Sequence, residues 1–347
     1  MASNKRRRRR SIDAPPSMSA DDTSLRIIVF GNSGLHQYSL TESILQRAIF
    51  KFVDYHTALT TKTLGQYLTR NVTLVNTPNF NSPDISHNTL KKELRKAVCF
   101  SCPGPHAVIF MLDLLDVPST TYDIFKPVVQ HFGEKILNHT MIVLYHEKEG
   151  DCQSLVDSVR RNQDFRELLE MCGQRYLVFG GKANRKDGSA ARELLDQIDQ
   201  MVSEHGIYSN QEFEDADKRI KKEEKFIEKE RKKEIRKMLE ALEKKHSGED
   251  LAREMKCYEE KIQFQNRERA EVRVADRLGF TLRLVDYAVA IGKGTFVGAL
   301  LGTAMGIVGT TVGAAVGAVL GGVFGGAARE AWQYFSNAFT YFHRDST

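Results

Sequence analysis

Cysteine is scarce in this sequence, with five residues (Cys99, Cys102, Cys152, Cys172, Cys257) scattered over 347 positions. An odd, irregularly spaced set builds no disulfide framework. Cys99 and Cys102 form a single CxxC. Neither a second pair nor a histidine at ligand spacing accompanies it, which argues against zinc. The N-terminal residues lack an apolar run, so no secretory signal is expected and the reducing cytosol is the expected compartment. Aromatic residues are missing beside the basic run Lys5–Arg10. Nucleic acid is therefore not an expected partner, because basic strand-binding surfaces stack bases on aromatic rings. The run remains a solvated tail, an import signal or an anionic-lipid contact. Residues 1–24 read as a disordered basic tail.

Two further absences mark boundaries. Proline is missing from Gln211 to Leu278, where glycine occurs once, at Gly248. This Lys/Arg/Glu-rich stretch carries a thin apolar stripe (Phe213, Ala216, Ile220, Ile227, Ile235, Met238, Leu242). It predicts a long charged helix, broken near His246-Ser247-Gly248, that packs on the domain, spans towards a membrane or pairs as a short coiled coil. Charge is missing from Gly294 to Ala328, 35 residues with glycines on two ladders of step four: Gly294 to Gly306 and Gly309 to Gly325. Helix-interior glycines each cost about 1 kcal/mol relative to alanine in water. Close helix contacts in lipid make sense of them. The segment exceeds the ~20 residues of one span, so a helical hairpin turning near Val308–Thr311 is expected. Membrane lipid is thus an expected partner.

The stretch between these boundaries alternates apolar strands with helical patterns. Strands are expected at Leu25–Phe30, Val72–Asn76, Ala107–Leu112, Met141–Tyr145 and Tyr176–Phe179, and helices near Leu40–Phe50, Tyr122–Phe132 and Ser189–Glu204. This pattern predicts an α/β fold with a mostly parallel sheet flanked by helices, binding its ligand at the carboxyl ends of the strands. The expected organisation is 25–206 α/β domain, 207–285 helical extension, 286–335 membrane segment and 336–347 tail.

A phosphate-binding loop after such a first strand has the pattern G-x-x-x-x-G-K-[ST], in which lysine neutralises phosphate and the hydroxyl ligates magnesium. Here Gly31, Asn32, Ser33, Gly34, Leu35, His36, Gln37 and Tyr38 follow the strand. Gly31 fits. Gln37 stands for the lysine and Tyr38 for the hydroxyl ligand, so the motif alone does not mark a nucleotide site.

The residues nonetheless resemble the GIMAP family of immune-associated nucleotide-binding GTPases. The stretch 31–46 (GNSGLHQYSLTESILQ) is similar to the family's first motif, and 73–80 (TLVNTPNF) to its strand ending in D-T-P-G. PGPHA (103–107), CGQRY (172–176) and FGGKA (179–183) resemble further signatures, and the likeness runs from Leu25 to Gly206. The resemblance implies a P-loop GTPase-like fold, GTP or GDP with magnesium as ligands, homo- or hetero-oligomers of G domains, and an immune role. Departures weigh against the ligands. Asn76 falls on the magnesium-linked aspartate, Asn79 on that motif's glycine, Gly180 on the base-site asparagine, and Gly150 on the guanine-reading aspartate. An amide cannot supply the charge that a hard dication pairs with. Magnesium is therefore unexpected, and GTP or GDP is doubtful. Gly31, Asn32, Ser33, Gly34, Gln37 and Tyr38 remain the candidate phosphate contacts and Glu149 the candidate base contact. No catalytic or metal-ligating residue is expected. Thr60, Thr61 and Thr63 lie where the first switch belongs, and His36, His56 and His146 receive no catalytic role.

The expected function is a membrane-associated GTPase-fold scaffold or regulatory partner of other G domains, on the cytoplasmic side of an intracellular membrane. The alternatives are a working GTP switch or slow GTPase, and a membrane-remodelling or pore-forming effector acting through residues 288–330.

Overall fold

In the computed structural model, the residues described are 24–31, 34–46, 59–68, 70–80, 82, 85–146, 152–180, 188–279, 287–291 and 294–297. In chain order the elements are β1 (Leu25–Gly31), α1 (Gly34–Leu45), β2 (Thr61–Tyr67), β3 (Arg70–Asn76), α2 (His87–Ser101), β4 (Ala107–Asp113) and α3 (Thr121–Phe132). A 3₁₀ turn (Glu134–His139), β5 (Thr140–His146), α4 (Gln153–Val159), α5 (Gln163–Met171), β6 (Tyr176–Gly180) and α6 (Ser189–His205) complete the α/β part. Beyond it come α7 (Gln211–Lys245), α8 (Gly248–Arg277), β7 (Tyr287–Ile291) and β8 (Gly294–Val297).

The strand order is β6-β5-β4-β1-β3-β2-β7-β8. From β6 to β3 every pairing is parallel, while β2 runs antiparallel to β3. The central strands read as unbroken apolar runs because both faces of the sheet are covered. Every residue of β1 and β5 is buried, as parallel sheets require. Helices α1 and α6 touch each other on one face, and α2 carries α7 and α8 on the other. Helix α2 starts where Ser86 Oγ accepts from Thr89 N, and its inner stripe is Leu90, Leu94, Ala97 and Val98.

The expected parallel sheet is present, with three differences. Helix α1 starts at Gly34, six residues before the expected Leu40. Strand β2 was not expected at all. Its sequence TKTLGQY is polar, and it is held instead by pairing along its whole length with β3.

The third difference lies at the C-terminal end. The charged stretch breaks at His246–Ser247 as expected, but folds back as two helices in contact along their length rather than one extended helix. Polar residues in the seam are matched by the facing helix, with Arg231 donating to Gln265 and Asn266 at 2.9 and 2.7 Å and Glu223 accepting from Arg277. Residues 287–291 and 294–297, expected to open a helical membrane hairpin, are extended, with β7 adding in parallel to the edge of β2. An otherwise open row of N–H and C=O groups on β2 accounts for this choice. Among the described residues no helix is long and apolar enough to cross a membrane. Residues 298–347, with most of both glycine ladders, lie outside the described residues.

Candidate functional site

At the carboxyl end of β1, backbone approaches backbone. A Cβ on Gly31 would lie 2.1 Å from the Met111 carbonyl oxygen of β4, so only glycine fits there. Asn32 and Ser33 lie outside the described residues, and Gly34 opens α1.

The next turn of α1 carries the positions that meet phosphate and metal in an ordinary phosphate loop. Gln37 is fully buried, and neither atom of its amide has a hydrogen-bond partner among the described residues. The Tyr38 ring is buried and its hydroxyl lies 3.4 Å from Thr61 Oγ1 at the start of β2. The Thr41 hydroxyl, one turn further on, lies 3.1 Å from both the Gln37 carbonyl and Asn76 Oδ1. Asn76 ends β3 opposite Thr61, is 1 % exposed, and has no partner for Nδ2 among the described residues. Thr77 follows with N–H and hydroxyl both donating to the Val29 carbonyl. Gln37, Tyr38 and Asn76 are thus brought together by α1, β2 and β3, turned into the protein. Thr41 was missed in the sequence. Its signal is a polar residue four positions after Gln37, on the same face of the helix.

His36 stacks on Tyr145 of β5, ring centroids 3.9 Å apart and 20° from parallel, with Nδ1 3.9 Å from Asp113 Oδ2. At the base end, Gly180 lies beside His146 so closely that a Cβ would stand 1.6 Å from the His146 carbonyl oxygen, at a φ of 147°. The backbone leaves no room for the asparagine of the familiar motif. Glu149 and Gly150 lie outside the described residues, as does His56. Of the switch-region threonines, Thr60 donates its N–H to Glu93 Oε2 at 2.5 Å and its hydroxyl to the Glu93 carbonyl at 3.1 Å, while Thr63 is fully buried.

The two most specific sequence signatures act as fasteners. In PGPHA, the Pro105 carbonyl accepts from Tyr208 N at 3.0 Å and Gly104 passes where a Cβ would be 1.9 Å from the Tyr208 carbonyl. His106 Nδ1 accepts from Arg26 N at 3.1 Å, and Arg26 Nε donates to the Gly104 carbonyl at 2.7 Å. Burial, reinforced by Arg26 and Arg70, pushes the His106 pKa down to about 3, so the ring is neutral. In CGQRY, Gly173 and Gln174 take left-handed φ values. Arg175 donates to the carbonyls of Thr140 and Leu137 at 3.0 and 2.8 Å, tying α5 to the start of β5.

The model of the AIG1 family matches residues 25–234. Mouse GTPase IMAP family member 8 is 24% identical over 195 residues, covering 55% of this chain and 27% of the mouse protein. Arabidopsis thaliana immune-associated nucleotide-binding protein 13 is 24% identical over 241 residues, covering 64% of this chain and 71% of its own. The chain therefore spans about a quarter of the mouse relative's length. Among solved structures, Toc33 from Arabidopsis thaliana in complex with GDP and Mg2+ is 13% identical with a TM-score of 0.42, covering 53% of this chain and 86% of that one. With that family model matching well over half of the 347 residues, the chain belongs to the AIG1 family.

Proposed function

We propose that this chain works as a GTPase-fold scaffold or regulatory partner of other AIG1-type G domains, not as a magnesium-dependent GTPase. The observation that carries the reading is the burial of Gln37, Tyr38 and Asn76, which are 0, 6 and 1 % exposed. A phosphate loop works by presenting an ammonium group and a hydroxyl to the ligand, with a carboxylate behind the metal. Here an amide, a phenol and a second amide take those places, enclosed by protein. Magnesium does not fit this donor set, since a hard dication prefers anionic oxygen. Each charge-assisted contact contributes roughly 1.5–3 kcal/mol, and ~1.4 kcal/mol is tenfold in affinity. Losing the lysine, the hydroxyl and the acid together removes most of the affinity for Mg·GTP. Gln37's amide, without a hydrogen-bond partner among the described residues, supports weak, metal-independent phosphate binding as a second reading.

The G domain would be presented on the cytoplasmic side of an intracellular membrane. The uncharged glycine-laddered segment 294–328 supports lipid as a partner, and the names of the relatives point to an immune setting. The deciding experiment is a titration of the full chain with fluorescent GTP, with magnesium and with a chelator. Weak binding that is indifferent to magnesium is the expected result. Submicromolar, magnesium-dependent binding overturns the proposal.

A further inference from the structure

The α7–α8 hairpin has two unlike halves. Near the sheet its apolar residues are sealed, with Phe213, Ile220 and Ile227 fully buried. Further out the apolar residues continue at steps of four and three, as Ile235, Leu239 and Leu242 on α7 and Leu251, Met255 and Tyr258 on α8. That is the spacing of a coiled-coil seam. All six are only half-buried, and Met238 beside them is 47% exposed. The two helices lie in contact, and Tyr258 on α8 is close enough to Glu234 and Arg231 on α7 to feel their charges. Two helices alone do not cover such a seam. A four-helix arrangement does.

Charge says which helices cover it. Residues 232–245 carry six basic and three acidic side chains, whereas residues 249–262 carry five acidic and three basic. The outer half of α7 is therefore net positive and the opening of α8 net negative. We propose that this outer half is a self-association surface for a second copy of the chain, with α7 of each copy lying against α8 of the other. A twofold axis then repeats the same attractive contact twice. Pairing α7 with α7 sets positive against positive.

The area sets the strength. Fourteen residues of helix are ~21 Å long and two helices side by side ~20 Å wide. Each copy thus offers on the order of 400 Å², about half of what a standard interface buries per partner. The contact is weak by itself and strengthens whatever contact the G domains make. It stands independently of how the nucleotide site is read.

The test uses the full-length chain in detergent solution, in two differently tagged forms, read by co-capture. One variant combines Lys237→Glu with Lys244→Glu, and the other combines Glu254→Lys with Glu259→Lys. Each alone should lose about tenfold in self-capture, the factor corresponding to ~1.4 kcal/mol of repulsion, and a mixture of the two should recover it. Met238→Glu should lose capture of either. Self-capture of each charge variant at the wild-type level overturns the proposal, as does a mixture no better than its components when helix content by circular dichroism is unchanged. If a variant loses helix content, the wild-type chain decides. Its self-capture should fall as salt rises, and capture that is absent or insensitive to salt overturns the proposal.

Discussion

Lys62 Nζ donates to both carboxylate oxygens of Glu271, at 2.7 and 2.9 Å, across 209 positions of sequence and with both side chains buried. The pair joins β2 to α8 and fixes the helical arm to the sheet. Arg267 Nε also donates to Glu271, at 3.1 Å, and Arg267 Nη2 reaches the Cys102 carbonyl at 3.2 Å.

The two partners are therefore unequal. Removing one member of a buried pair strands the other charge, at a cost of about 3–5 kcal/mol. Glu271→Gln takes the shared carboxylate from both Lys62 and Arg267, although Arg267 keeps Glu224 at 3.7 Å and Asp217 at 3.9 Å, and should lie towards the top of that range. Lys62→Met leaves a carboxylate that Arg267 still neutralises and should lie near the bottom. Urea denaturation midpoints of the two variants check this order, and the reverse order refutes it.

His106 makes stability depend on pH. Its folded-state pKa of about 3 lies below the ordinary 6.5, because burial first and Arg26 next disfavour the imidazolium. Between these values the unfolded chain takes up a proton that the folded chain does not. The contribution of the neutral ring is thus complete above pH 6.5 and is lost as pH falls towards 3, by up to ~1.4 kcal/mol per pH unit. His139, pushed down to about 4 by burial, His205 and Arg175, adds to the same trend. Denaturation curves from pH 7 to pH 4 should show this slope, and His106→Asn should flatten it.

Cys99 and Cys172 are buried and their thiols are pushed up to about 12, chiefly by desolvation, while Cys102 is raised well above its usual value for the same reason. Thiolate is the reactive form. Alkylation of the native chain at pH 8 should spare all three and mark the half-exposed Cys152, with the three becoming reactive in urea. Rapid native labelling of Cys99 or Cys102, read by peptide mass spectrometry, would show the CxxC to be redox-active and not packed as structure.

How much of this was legible follows from what each residue meets. Strands β1, β4 and β5 could be read directly, since a strand covered on both faces must be apolar throughout. Strand β2 could not, because its polar Lys62 and Thr63 are buried opposite Val75 and Leu74, with Lys62 paired to Glu271, partners that lie elsewhere in the chain. The helix break at His246–Ser247 was visible, but not the fold-back, which depends on Arg231 finding Gln265 and Asn266. In the site, the exchanged letters at Gln37, Tyr38 and Asn76 were plain. Their enclosure was not, nor was the absence of space for any side chain at Gly180, which is a matter of backbone spacing between β5 and β6.

The amides of Gln37 and Asn76 carry the last prediction, because both are buried and uncharged on adjoining elements. Gln37→Lys puts an ammonium group where a buried neutral amide stands, and burying an unpaired charge costs several kcal/mol. The single variant should therefore be clearly less stable than wild type. Asn76→Asp alone buries a lone carboxylate beside Thr41 and should be destabilised as well. Together the two changes supply opposite charges at positions whose elements meet at Thr41, with Thr41 Oγ1 3.1 Å from the Gln37 backbone carbonyl and 3.1 Å from Asn76 Oδ1. The double variant should recover at least about 1 kcal/mol relative to the sum of the singles, within the coupling range of contacting residues. Calorimetry of the four chains measures that coupling. A strictly additive result would place the two side chains in separate environments and refute the coupling.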